Sequence, residues 1–151
     1  MKIDNINKKI LFLLQKDARM TYKEIASELN RSETTIRDRI KAMERVGIIQ
    51  GYTALIDKTA LGLNFFAILF GNPTSSTELD KITEKIKKVK NVLRVYQISG
   101  DKRLAIFMVS PSYKELKEII RTQLLPIGLK DEEIITVLEA DSEFISPLEI
   151  P

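Results

Sequence analysis

The chain has 151 residues, 24 of them Lys or Arg and 21 Asp or Glu, with no cysteine, no histidine and a formal charge of +3. That length holds one ordinary domain or two small ones; the missing Cys and His exclude a disulfide framework, thiolate chemistry and the usual transition-metal sites. Apolar strings such as residues 65–70 are too short to cross a bilayer and no signal-peptide core opens the chain, so a cytoplasmic protein without metal, cofactor or membrane partner is expected.

In chain order, Asp4 is placed to cap a first helix, with Ile6, Ile10 and Leu13 or Leu14 as its apolar stripe. That helix should stop near Asp17–Ala18. Thr21 with Glu24 is a capping box for a second helix, whose inner residues are Ile25, Ala26 and Leu29. Asn30 tolerates the left-handed conformation of a sharp turn, and Ser32 caps a third helix. There Ile36, Ile40 and Met43 form the buried stripe, and Gly47 closes it.

Three short helices with a tight turn between the last two make a helix-turn-helix, whose third helix presents its N-terminal part to the major groove. The buried stripe leaves Thr34, Arg37, Asp38 and Lys41 facing outward, with Glu33 at the entering tip. Arg37, Arg39, Lys41 and Arg45 can reach phosphates, or for one of them a guanine edge. The alternatives are structural: Arg37 pairing with Glu33, and Arg39 tying helices together. Charge supports the reading. Residues 1–50 carry 11 Lys and Arg against 7 Asp and Glu, a net of +4, whereas residues 51–151 carry 13 against 14, a net of −1.

Residues 48–57 are rich in β formers and predict a strand leaving the helical unit, with Tyr52 and Leu55 as packing candidates. Residues 63–71 then read as a buried strand ended by Gly71-Asn72-Pro73. Residues 77–89 read as a helix with Leu79, Ile82, Ile86 and Val89 inward, capped by Ser76 or Thr77. Strands over 92–99 and 103–109 flank a turn at Gly100-Asp101-Lys102. Ser112 with Glu115 starts a helix with Tyr113, Leu116, Ile119 or Ile120, and Leu124 inward; Pro126 and Gly128 close it, and 134–140 is the last strand. The order β-α-β-β-α-β is the ferredoxin-like pattern. The expected architecture is α+β: a winged-type helix-turn-helix domain over 1–50, a linker strand over 51–62, and a ferredoxin-like oligomerisation and effector-binding domain over 63–151.

Two helices cover one face of such a sheet. In the first strand Phe65, Ala67 and Leu69 oppose Phe66, Ile68 and Phe70, and in the third Leu104, Ile106 and Met108 oppose Ala105, Phe107 and Val109, so whichever face the helices leave is apolar too and should not stay wet. A second copy is the simplest cover, so at least a dimer is expected. The alternatives are the N-terminal unit or the chain end. Pairing also joins two weak readers, which suits a palindromic promoter site on double-stranded DNA.

Residues 10–62, and above all GIIQGYTALID, together with NVLRVYQISGDKRLAIFMV at 91–109, resemble the Lrp/AsnC (leucine-responsive regulatory protein) family of bacterial and archaeal transcription regulators, and an archaeal member in particular. The resemblance implies dimers through the C-terminal sheet, assembly into tetramers or octamers around which DNA wraps, and a small-molecule effector such as an amino acid near the turn. It assigns Ser32, Thr34, Thr35, Arg37, Asp38 and Arg39 to the DNA-facing segment, and Gly100, Asp101 and Lys102 to the effector loop. Lys102-Arg103 stand where the family usually has a small or acidic residue, which favours a different effector, an acidic one, or none. Asn30 replaces a common Gly and can make the same turn. The expected function is sequence-specific transcription regulation; the alternative is an architectural DNA-packaging protein with loose site preference. An enzyme is not expected, because no candidate base or nucleophile sits in a recognisable reaction motif.

Overall fold

The computed structural model describes residues 2–74, 78–138, 147, 148 and 150. The chain divides into two compact units, Met1–Leu55 with Ser142–Pro151, and Ile56–Asp141.

The first unit contains α1 (Asn5–Lys16), α2 (Tyr22–Glu28) and α3 (Glu33–Arg45). Each start is a local side-chain cap. Asp4 accepts the Asn7 N–H at 2.8 Å. Thr21 and Glu24 form a full capping box, in which the Thr21 N–H and hydroxyl hold the Glu24 carboxyl below its usual range. Ser32 accepts the Thr35 N–H at 3.1 Å. Asn30 takes a φ of 51° in the turn, and Gly47 one of 74° after α3. Ile10, Ile25, Ala26, Ile36, Ile40 and Met43 form the core, and the three from α3, Ile36, Ile40 and Met43, stand at helical spacing. Near the chain end, the Leu148 N–H donates to Gln15 Oε1 at 2.8 Å.

The second unit is a four-stranded antiparallel sheet of order β2-β3-β1-β4, built from β1 (Phe65–Pro73), β2 (Val92–Gln97), β3 (Leu104–Ser110) and β4 (Leu129–Val137). Helices α4 (Leu79–Ile86) and α5 (Tyr113–Ile119) supply the crossovers, and a π-type turn over Ile120–Leu124 extends α5. This is the ferredoxin-like arrangement. Ala67, Leu69, Leu104, Ile106 and Met108 of the sheet pack with Ile82, Ile86, Leu116, Ile120 and Leu124 of the helical segments.

The opposite face follows from the register. Phe66 pairs with Val109, Ile68 with Phe107 and Phe70 with Ala105. Phe107 meets Phe66 at 6.3 Å between centroids and Tyr96 edge-on at 5.6 Å. Phe66, Ile68, Phe70 and Phe107 stay half-buried, and Tyr96 and Ile135 are exposed.

Four expectations change. No strand forms among the described residues of 48–57: Leu55 is 69% exposed and Tyr52 bonds Glu44 instead of entering a core. A lone β-prone segment has no ladder to join, since strand hydrogen bonds need a neighbour. Strand β1 runs on through Gly71-Asn72-Pro73, because a bulge there keeps it paired with β4. For the same reason β4 starts at Leu129, five residues before the expected 134, and it forms the polar edge of the sheet. Tyr113 is exposed and lies against Phe65 at 5.5 Å between centroids. The expected caps at Ser76 and Thr77, and the strand end at 139–140, lie outside the described residues.

Candidate nucleic-acid interface and effector loop

Helix α3 sorts its residues by face. With Ile36, Ile40 and Met43 inward, Thr34, Asp38, Lys41 and Arg45 are exposed and Arg37 is half-exposed. Arg37 Nη2 donates to Thr34 Oγ1 at 3.3 Å, so it is steadied along the helix rather than paired with Glu33. Glu33, Asp38, Lys41 and Arg45 make no side-chain hydrogen bond or ion pair among the described residues. The Ser32 and Thr35 hydroxyls share a 2.7 Å hydrogen bond, which commits both to the cap. The capped first turn leaves its N–H groups directed along the helix axis, a favourable arrangement for an anion.

Arg39 is placed differently. At about 100° per residue it stands roughly 60° from the centre of the buried stripe, on the side away from Arg37. Its Nη1 donates to Asp4 Oδ2 at 2.7 Å and to Asn7 Oδ1 at 3.0 Å. The structure thus uses Arg39 to join α3 to the start of α1, the structural alternative anticipated for it. Asn7 is 4% exposed, a polar side chain buried where it can accept this bond. The Asn7 N–H, and next the Arg39 guanidinium, hold the Asp4 carboxyl below its ordinary value. Sequence reading missed Asn7 as a functional neighbour. Its position on the stripe side of α1 was the only available signal.

The turn between β2 and β3 contains Gly100 at a φ of 110°, Asp101 and Lys102. The structure ties it to residues that the sequence did not single out. Asn72 Nδ2 donates to the Asp101 carbonyl at 3.0 Å, and Asn72 Oδ1 accepts the Arg103 N–H at 3.0 Å. Lys102 Nζ donates to the Asp131 carbonyl. Asn72 Nδ2 also lies 3.4 Å from Asp131 Oδ2. Asn72 is therefore a clasp between the turn and the start of β4.

Beside that clasp is a cavity of about 240 Å³, lined by Asn72, Pro73, Thr74, Leu79, Arg103, Lys130 and Asp131. Two cations and one carboxylate face it, with Leu79 and Pro73 as its apolar wall. Of the three predicted loop residues, none lines this cavity directly; Arg103, next in sequence, does. The clue to Asn72 was its place between Gly71 and Pro73, which reads as a strand end and is a bulge. No group of three or more acidic side chains suited to a metal ion occurs among the described residues. No helix among them is long and apolar enough to cross a membrane.

Two family models match the chain. Residues 3–50 match the winged helix-turn-helix DNA-binding family, and residues 65–142 match the Lrp/AsnC ligand binding domain. An uncharacterized HTH-type transcriptional regulator of Pyrococcus furiosus is 32% identical over 95% of this chain and 96% of its own length. The HTH-type transcriptional regulator LrpA of Pyrococcus horikoshii is 38% identical over 81% of this chain and 86% of its own. Among solved structures, a transcriptional regulator of Neisseria meningitidis in complex with L-Met superposes with a TM-score of 0.86 at 21% identity, covering 98% of this chain and 97% of that one. At that identity the likeness is one of fold.

Proposed function

The chain belongs to the Lrp/AsnC family of transcriptional regulators, and we propose that it is a sequence-specific DNA-binding regulator acting as an oligomer under control of a small effector. The family is one of DNA-binding regulators with a helix-turn-helix, and the chain is not an enzyme.

One observation carries the specific reading: the outward row of α3. Thr34, Arg37, Asp38, Lys41 and Arg45 stand together on the face opposite the buried stripe, behind a capped N-terminus. In a major groove the long cations reach phosphates, and Thr34, Arg37 and Asp38 lie nearest the base edges. Glu33 at the tip disfavours close approach to a phosphate, which helps set register. Ser32 and Thr35 act by holding the helix start, and Arg39 supports the row from behind.

The half-buried aromatic face of the sheet supports pairing of two copies, with tetramers or octamers as further assembly. Paired heads fit a palindromic promoter site. The loop of Gly100, Asp101 and Lys102, with the cavity beside Asn72 and Arg103, supports effector binding. The neisserial relative holds L-Met; here Arg103 and Lys130 against the one carboxylate of Asp131, 3.9 Å from Lys130, leave a net positive cavity that favours a ligand carrying more negative charge than a neutral amino acid.

The test is selection of bound fragments from the organism's own genomic DNA, with and without a panel of amino acids and dicarboxylates. Recovery of a few related promoter sequences, changed by one ligand of the panel, is the expected result. Fragments spread evenly over the genome would replace regulation with packaging.

A further inference from the structure

Arg39 sits on the recognition helix, is 29% exposed at its side chain and carries the charge that DNA binding wants. Yet one edge of its guanidinium is committed elsewhere. One nitrogen, Nη1, bonds both Asp4 Oδ2 at 2.7 Å and Asn7 Oδ1 at 3.0 Å. The same Asp4 uses its other oxygen to cap α1 through the Asn7 N–H at 2.8 Å. A single carboxylate thus ends one helix and anchors another, across 35 residues of sequence. Asn7 is almost fully buried, so its carbonyl oxygen has no solvent substitute for this donor.

Turning Nη1 to a phosphate would break both bonds, leaving Asp4 and Asn7 uncompensated beside the helix junction; only the Nη2 and Nε donors are left for any other partner. The bonds also act at a useful place. They lie about one and a half turns along α3 from Thr34 and within two residues of Arg37, on the opposite flank. A latch there fixes the rotation of α3 about its own axis, which apolar packing of Ile36 and Ile40 alone leaves softer.

We propose that Arg39 is a positioning residue for DNA reading: through Asp4 and Asn7 it fixes the setting of α3 that offers Thr34, Arg37 and Lys41 to the duplex, and it holds no phosphate itself. This rests on the reading of the chain as a sequence-specific DNA-binding regulator and deepens it. The consequence is a split between discrimination and raw affinity. Phosphate contacts act on every sequence and set the salt dependence, whereas base contacts need geometry.

The experiment uses the full chain, one genomic fragment recovered by selection, and a mixed-sequence duplex of equal length, over a salt series. Arg39→Met should lower affinity for the selected fragment about tenfold. It should leave the mixed duplex within about twofold and the slope of log affinity against log salt unchanged. Asp4→Asn is the sharper arm, because Asn still caps a helix well. Removing an acid tightens binding to all DNA if only charge matters; the latch requires weaker binding to the selected fragment instead. Arg39→Lys, which keeps charge and one donor, should recover part of the discrimination. In the double variant the two losses should not add.

Equal loss on both duplexes, with the slope shallower by about 0.9 for each head, would make Arg39 a phosphate contact and overturn the proposal. No change on either duplex would overturn it as well. Should Arg39→Met fail to fold, Asp4→Asn and Arg39→Lys carry the same comparison. If the unaltered protein does not distinguish the two duplexes, the reading as a specific regulator fails, which is a different result.

Discussion

Lys41→Gln should weaken binding to every duplex and flatten its salt dependence. The outward row of α3 carries Arg37, Lys41 and Arg45, none of them paired with a carboxylate among the described residues. With Arg37 at the base edges, Lys41 and Arg45 of two such rows in a dimer give a slope of log affinity against log salt of about −3.6, at about −0.9 per neutralised phosphate. Raising salt from about 50 to about 200 mM then lowers affinity roughly 150-fold. Lys41→Gln removes one contact per head, so the slope should become shallower by about 1.8. Lys41 is exposed and makes no side-chain hydrogen bond or ion pair among the described residues, so folding should be untouched. Fluorescence anisotropy on a selected fragment and on a mixed-sequence duplex, each over a salt series, measures both quantities. An unchanged slope would refute the assignment of this row to phosphate. A loss confined to the selected fragment would instead make Lys41 a reader of bases.

Other outcomes follow from the same geometry. Ser32→Ala should cost about 1 kcal/mol of stability, because Ser32 caps α3; Ser32→Asp should keep the cap and the melting temperature but weaken DNA binding by adding an anion at the entering tip. The Asp4 carboxyl lies below its ordinary 3.8 in the folded chain, so its ionised form stabilises the fold fully above that pH, and the contribution is lost as pH falls through the lower folded value. An NMR titration should find the Asp4 midpoint raised in Arg39→Met yet still below 3.8, since the Asn7 N–H remains the larger cause. Gly71→Ala should destabilise by about 1–3 kcal/mol, read as a lower melting temperature. Its φ is ordinary, but an added Cβ would stand 2.9 Å from Leu129 Cδ1 and 3.1 Å from the Lys130 carbonyl. A melting temperature equal to the parent's would show that the bulge yields freely.

What could be read from the sequence was local. Asp4, Thr21 with Glu24, and Ser32 each act across three residues, so their spacing alone places α1, α2 and α3. The inward stripes of β1 and β3 were legible because alternate residues of a buried strand face opposite ways. Edges were not. The first residues of β4, Leu129-Lys130-Asp131-Glu132-Glu133, lack β formers, and Asp131 takes a φ of 53°. Only pairing with β1 across the bulge makes them a strand. Residues 48–57 show the reverse case, with β formers and no neighbour to pair with. The site divides in the same way. The outward row of α3 could be read off a helical wheel. The commitment of Arg39 to Asp4 and Asn7, and of Asn72 to the β2–β3 turn, joins residues far apart in the chain, and no periodicity encodes it.

The value of such a latch depends on how a short helix distinguishes one sequence from another. One more cation on α3 would raise affinity for all DNA together, and the surplus of competing sites in a genome gains as much as the target. Discrimination grows only from contacts that fail when a base is wrong, and each of those requires its side chain at a fixed height and angle in the groove. A head with few base contacts therefore gains more from a rigid mounting than from a stronger charge. Pairing compounds the effect. Two heads joined by symmetry multiply their discrimination when each is held in one setting, whereas two loosely mounted heads each find a tolerable fit on many sequences. On this argument the Arg39 cation contributes more to selectivity while bonded to Asp4 and Asn7 than it would on a phosphate.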